Sequence, residues 1–246
     1  MNMKRLEFLD ALRGFAMLWM TLYHFCFDLN YFGWIYQDFY ADPFWVWQRC
    51  AIVSLFLFCV GWSQAASSIP LQPAKLESQY PQGLRDRWMS KFWLRWWQIA
   101  GCALLVTLCS YAVYPKSFIY FGVLHAVCVM LLLLLVLRYL GQWLWLLGAA
   151  WLLLFLYPPF VANSAPWNVL GLISQKPITE DYVPLFPWLA LVCFGYAFGL
   201  LQIKKGWTFS IHPWAISLAV LGRYSLRYYM LHQPVLIGLL YLCRLA

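Results

Sequence analysis

Charge is scarce in this sequence. Asp, Glu, Lys and Arg make up 11% of its 246 residues, where soluble domains carry about 25%. Apolar residues make up 64%, more than a water-soluble fold of this size can hide, so the bilayer must act as solvent for most of the surface. The eight cysteines, among them Cys26, Cys59, Cys102 and Cys128, show no CxxC spacing. That excludes a zinc ribbon and a disulfide framework and leaves small buried hydrophobes. No metal site is indicated. No small-residue cleavage site follows the opening apolar run, which therefore reads as a first transmembrane helix rather than a leader. No internal repeat is visible, and acidic residues number nine against seventeen basic ones. A formal charge of +8 invites a nucleic-acid partner, but the placement of the charges argues for membrane topology instead.

The apolar runs divide into seven spans near the roughly 20 residues a bilayer needs. They cover 9–31, 43–67, 92–114, 117–138, 142–158, 183–203 and 224–244. The expected fold is an all-α polytopic bundle, a single domain over 1–246. The 207–221 stretch, with His212 and Pro213, is too polar to span and reads as a short helix at the interface. With the N-terminus in the cytoplasm, thirteen of the seventeen Lys and Arg fall inside, and only Arg49, Lys116, Lys176 and Arg244 fall outside. The positive-inside rule therefore favours seven spans and an outer C-terminus. Many Trp and Tyr, such as Trp34, Tyr36, Trp45 and Trp93, sit at span ends as an interfacial belt. The 69–90 loop reads as irregular and leads to Arg87, Lys91 and Arg95, spaced by four on one helix face. Such a row anchors to lipid phosphates or seats a phosphate-bearing cytosolic substrate.

Ionisable residues inside spans are rare and mark function by default. The first span holds Asp10, Arg13, His24 and Asp28. His24 and Asp28 are four apart and share a helix face, so the carboxylate is placed to orient the imidazole, the side chain best suited to proton transfer near neutral pH. A hairpin centred near Asp38 puts Arg49 at the depth of Asp28, predicting an ion pair that neutralises both or simply fixes the packing of two spans. His125 lies on the fourth span, about 13 Å from Lys116 at 1.5 Å per residue. His232-Gln233-Pro234 interrupts the last span, as a proline kink with a capped carbonyl or as part of a site. The 158–182 loop is placed to cover an acceptor from outside.

Two stretches carry a resemblance. The first is Leu9-Asp10-Ala11-Leu12-Arg13-Gly14-Phe15-Ala16 with His24 eleven residues after Arg13. The second is Leu221-Gly222-Arg223-Tyr224-Ser225-Leu226 followed by Leu231-His232-Gln233-Pro234. Together they resemble the transmembrane acyltransferase superfamily. Within it the chain is most similar to small bacterial heparan-alpha-glucosaminide N-acetyltransferase-like proteins, as are Phe118 to His125 and Asp181 to Trp188. The resemblance implies a helical bundle in a bacterial cytoplasmic (inner) membrane. It takes an acyl group, acetyl in the first instance, from cytosolic acetyl-CoA or another acyl-CoA and delivers it to a sugar or other hydroxyl or amine at the outer side. His24 matches the catalytic histidine, which as general base activates the acceptor, and Asp28 orients it. Arg13, Lys91 and Arg95 face the CoA phosphates. Asp10, Arg49, His125, Arg223, His232 and Gln233 complete the polar set. In the heparan type the position of His24 is an asparagine and the histidine comes about eleven residues later. Here that later position is Ile35, and His24 follows the acyltransferase-family-three pattern. Direct transfer and an acyl-histidine intermediate both fit, and the chain leaves self-association open. A proton-coupled transporter built on the same buried groups is the alternative, as is a non-catalytic membrane subunit.

Overall fold

A computed structural model describes residues 6–67, 82–158, 161 and 165–245, without side chains at 82–85, 165, 166 and 245. Among them the chain is helical, with no strand beyond one isolated bridge between Phe121 and Tyr182. The helices are α1 (Glu7–Tyr31), α2 (Pro43–Ser67), α3 (Gln82–Val113), α4 (Val123–Leu137), α5 (Leu144–Leu156), α6 (Ala165–Leu170), α7 (Leu185–Lys205), α8 (Ile216–Arg223) and α9 (Ser225–Leu245). All eight cysteines are free thiols. The helices pack as two compact units. One joins the two ends of the chain, Met1–Phe56 and Thr208–Ala246, and the other is Leu57–Trp207.

The first unit is built on one face of α1. Asp10, Gly14, Met17, Thr21, His24 and Asp28 recur at three- and four-residue steps, so they form a continuous stripe. The stripe's lower half meets α8. A β-carbon on Gly14 would overlap the Leu218 carbonyl, and one on Gly222 would overlap the Asp10 carbonyl. Both positions must therefore be glycine for the backbones to approach this closely. The 207–221 stretch is thus a 3-10 turn, Pro213–Ala215, leading into the eight-residue α8. At about 12 Å long, α8 is too short to cross a bilayer. The stripe's upper half meets α9. The Thr21 hydroxyl donates to the Met17 carbonyl at 2.9 Å and so accepts from the Tyr228 hydroxyl at 2.7 Å. His24 and Asp28 then face His232 and Gln233. Partner numbers rise together, so α1 and α9 run parallel. Beside them Met17, Met20, Tyr23, Phe39 and Ile52 form the apolar core.

The register of α2 against α1 differs from a simple hairpin. The Trp19 indole donates to Gln48, and Tyr23 packs on Trp45 with ring centroids 5.9 Å apart. Residues 32–42 do not continue upward but fold back along α1. The Gln37 amide donates to Asn30 Oδ1 at 2.7 Å, and Phe39 lies 5.7 Å from Tyr23 and 5.3 Å from Phe27. That drops α2 by about two turns. Arg49 therefore lies near the level of Trp19, roughly 13 Å below Asp28 at 1.5 Å per residue. The expected Asp28–Arg49 ion pair does not form. Ile35, in the folded-back segment, packs on the apolar core.

In the second unit α3 is 32 residues long, about 48 Å against a hydrocarbon core of about 30 Å. It begins at Gln82, so 82–90 is helical rather than irregular. The prolines at 70, 73 and 81 lie outside the described residues. The Trp96 indole donates to the Cys128 carbonyl at 3.0 Å, and the Arg138 guanidinium lies 5.1 Å from the Trp88 ring. These contacts make α3 and α4 antiparallel. The chain then reverses through a 3-10 turn, Arg138–Trp143, where Gly141 takes φ 57°, a conformation that suits glycine. Gln142 donates to the Ala197 carbonyl at 3.3 Å and Trp151 to the Leu185 carbonyl at 3.2 Å, so α5 runs antiparallel to α7. The Leu57–Ser67 part of α2 lies close along α7, where β-carbons on Gly61 and Gly195 would overlap the Val192 and Phe58 carbonyls. There Trp62 donates to Gln202 at 2.7 Å.

Among the described residues four runs are long and apolar enough to cross a membrane: Pro43–Ser67, Asp86–Val113, Val123–Leu156 and Leu185–Lys205. The third is the α4–α5 hairpin. α1 and α9, with 25 and 21 residues, have the length but carry the polar residues that make up the candidate site.

Candidate functional site

α1 and α9 bring His24, Asp28, His232 and Gln233 together. Asp28 is 3% exposed and His232 9%, while His24 and Gln233 are half-buried. An ionised carboxylate only accepts, so the Gln233 amide turns its Nε2 to Asp28 Oδ1, at 2.8 Å. The amide oxygen then points away. Pro234 sits inside α9 and removes one intrahelical donor. One turn earlier, His232 Nδ1 lies 2.6 Å from the Tyr229 carbonyl. The rings of His24 and His232 are 5.2 Å apart, inclined at 59°, and Tyr229 flanks His232 at 5.5 Å. Three buried atoms in this cluster have no hydrogen-bond partner: Asp28 Oδ2, His232 Nε2 and Gln233 Oε1. A carboxylate oxygen and an amide oxygen are acceptors. Buried polar groups are rarely left this way, and those that are call for an explanation.

The sequence expectation that Asp28 orients His24 meets a different geometry. Asp28 holds Gln233, and among the described residues nothing hydrogen-bonds to the His24 ring. The residues that sequence reasoning placed apart, His24 with Asp28 on the first helix and His232 with Gln233 on the last, converge. Thr21, Tyr228 and Tyr229 join them. Their signal was the period of the α1 stripe, which becomes legible only once α9 is known to lie along it.

About 16 Å back along α1, at eleven residues of 1.5 Å, is a second polar group. Arg13 Nη1 donates to Asp10 Oδ1 at 2.9 Å, and Arg223 lies 3.7 Å from Asp10 and 3.8 Å from Glu7. The opposed charges of α1 and α8 thus neutralise one another where the two helices touch. Lys91 and Arg95 belong to the second unit, exposed on α3 four residues apart and in line with Arg87. A mostly apolar cleft of about 220 Å³ runs between Phe8, Phe15, Ile211, Trp214 and Leu218, with Ser210 and His212 also on its lining.

His125, in the second unit, has a different setting. The Thr107 hydroxyl donates to the Ile119 carbonyl at 2.8 Å and so can only accept from His125 Nε2, at 3.0 Å. Nδ1 in turn accepts the Gly122 amide at 3.3 Å. Both ring nitrogens are satisfied, and the tautomer is fixed. Around it Asp181 Oδ2 accepts the Val123 amide at 2.8 Å, Ser117 donates to Glu180 at 2.6 Å, and Thr179 donates to the Phe118 carbonyl at 2.9 Å. Tyr182 donates to the Asn168 carbonyl at 2.6 Å, and burial, with Tyr120 adding to it, pushes its phenol well above the ordinary range. The 158–182 loop is therefore tied, where described, to the start of α4 rather than held loosely over it. Sequence reasoning named His125 but not Thr107.

No group of three or more His, Cys, Asp or Glu with metal-binding geometry occurs among the described residues. No curated protein and no solved structure matches the chain. The family model for heparan-alpha-glucosaminide N-acetyltransferase, catalytic, matches residues 5–234, a stretch that contains both the α1 stripe and the His232–Gln233 pair. The chain belongs to this family of membrane acetyltransferases.

Proposed function

We propose that the chain is a membrane-embedded acyltransferase that moves an acetyl group from cytosolic acetyl-CoA to a hydroxyl or amine acceptor, a sugar in the first instance, at the outer side. The observation that carries this reading is the α1–α9 cluster. It sets two imidazoles beside a buried carboxylate and leaves acceptor atoms open where an O–H or N–H group must be bound and deprotonated. His24 is the base, since it is the half-buried imidazole that no neighbour holds. The parallel course of α1 and α9 supports crossing both from the same side, with the N-terminus and Arg223 in the cytoplasm and an odd number of spans. On that side Arg13, Lys91 and Arg95 supply cationic donors suited to the CoA phosphates. An inner bacterial membrane fits such a donor supply.

The test is binding of acetyl-CoA to the detergent-purified protein, beside Arg13→Ala, Lys91→Ala and Arg95→Ala, followed by transfer to a panel of sugars and amines. Saturable binding, weakened about three- to tenfold by each change, is expected from one charge-assisted contact of roughly 1 kcal/mol. Folded protein that binds neither acetyl-CoA nor longer acyl-CoAs defeats the proposal.

A further inference from the structure

We infer that His232 is a positioning residue for His24, orienting its ring and receiving its second proton during transfer. The inference rests on the acyltransferase reading above and assigns the orienting role to a different residue from the one the sequence suggests.

The argument starts at the Tyr229 carbonyl. A carbonyl oxygen only accepts, so His232 Nδ1, 2.6 Å away, carries the proton. In the neutral ring Nε2 is then a lone pair. That atom is buried and has no partner, so its desolvation is uncompensated until a donor reaches it. The adjoining donor-capable ring is His24, with centroids 5.2 Å apart. The terminal torsion of histidine is soft, so the His24 ring is free to turn a nitrogen toward Nε2. Because Nε2 can only accept, the His24 nitrogen that meets it must be the protonated one. The opposite His24 nitrogen is then an unprotonated base. Asp28 makes no hydrogen bond to either ring: its Oδ1 holds Gln233 and its Oδ2 has no partner. The aromatic groups facing the two rings are Tyr23 on α1 and Tyr228 and Tyr229 on α9.

In the reaction the acceptor oxygen or nitrogen forms a bond to the thioester carbonyl carbon as its proton passes to the free His24 nitrogen. The other His24 proton moves to His232 Nε2, so His24 ends neutral and His232 becomes the imidazolium. Collapse of the tetrahedral adduct breaks the carbon–sulfur bond. The CoA thiolate leaves and takes the proton back along the same two rings.

Two substitutions separate this role from a capping role. His232→Asn keeps an N–H for the Tyr229 carbonyl but removes Nε2, whereas His232→Gln restores an acceptor near the position of Nε2. Acetyl transfer by the full chain in lipid nanodiscs should show kcat lowered about 100-fold in His232→Asn, with KM for acetyl-CoA within about twofold, and partial recovery in His232→Gln. Wild-type kcat in His232→Asn overturns the inference. An activity-independent measurement runs beside it: nitrogen-15 spectra of the His24 ring. A single fixed tautomer is expected in the wild type and a tautomeric mixture in His232→Asn. Unchanged His24 signals overturn the inference whether or not transfer is detected. The expected spectra in a protein that transfers nothing would sink the acyltransferase reading and leave the histidine pair standing.

Discussion

His125 and His232 each hold one ring nitrogen against a backbone group, yet only His125 finds a neighbour for the other. At His125 the second nitrogen meets the Thr107 hydroxyl, itself anchored on the Ile119 carbonyl. At His232 the second nitrogen is buried and open, beside an open carboxylate oxygen and an open amide oxygen. The first arrangement is closed: each atom stabilises its neighbour, and a proton arriving there would have to break a bond already made. The second is incomplete on the protein's own terms. Leaving buried acceptors unpaired costs about 1–3 kcal/mol each, a cost that a folded chain carries where a ligand or a moving proton makes up the difference. The same residue type is thus a fastener in one unit and a reactive group in the other, and the partner count of its two nitrogens distinguishes the cases.

The sharpest way to break this comparison is to remove each imidazole in turn. His24→Ala should lower acetyl transfer by 10²-fold or more, with acetyl-CoA binding retained. His125→Ala should leave kcat within about threefold and lower the unfolding free energy by about 1–3 kcal/mol, because Thr107 and the Gly122 amide lose their partner. Parallel transfer assays and thermal unfolding decide it, and activity lost at both positions would erase the distinction. Gly222→Leu comes next. Its side chain must displace the Asp10 carbonyl, which should destabilise the first unit by about 1–3 kcal/mol or more. It should also lower transfer, because α8 packs on α1, the helix that carries His24. Folded yield and protease resistance are the readouts. Thr107→Val is the mildest. It removes the Ile119 and His125 bonds together, with an expected loss of about 1 kcal/mol and unchanged transfer. A large loss of transfer in Thr107→Val would mean that the His125 network serves the chemistry after all.

Much of the fold was legible because helices announce themselves by apolar length. The α2 bounds, 43–67, agree with the sequence reading to the residue, and α7 and α9 are displaced by no more than two. What could not be read was how one helix slides against another. The Arg49 expectation failed because a symmetric hairpin was assumed, whereas Phe39 finds its apolar contacts by folding back on Tyr23 and Phe27. Tertiary packing, not local pattern, set that register. The start of α3 was missed for a different reason: its first turns carry Arg85, Asp86 and Arg87, which look like loop in a hydropathy reading, although Arg is a good helix former and Asp is favoured near a helix N-terminus. In the site, residue types were legible and pairings were not. His24 and Asp28 share a face as their spacing requires, but which of four polar side chains satisfies which depends on α9, some 200 residues later in the chain.

The stripe on α1 has a further consequence. It engages α8 through Asp10 and Gly14 and α9 through Thr21, His24 and Asp28, all on one rigid rod with 3.6 residues per turn. Each residue inserted or deleted between Gly14 and Thr21 would turn one half of the rod against the other by about 100°. The charged group at one end and the imidazole group at the other would then no longer face their partners together. The helix acts as an indexed shaft: substitutions along it are local events, whereas a change of length by one is felt at both ends at once.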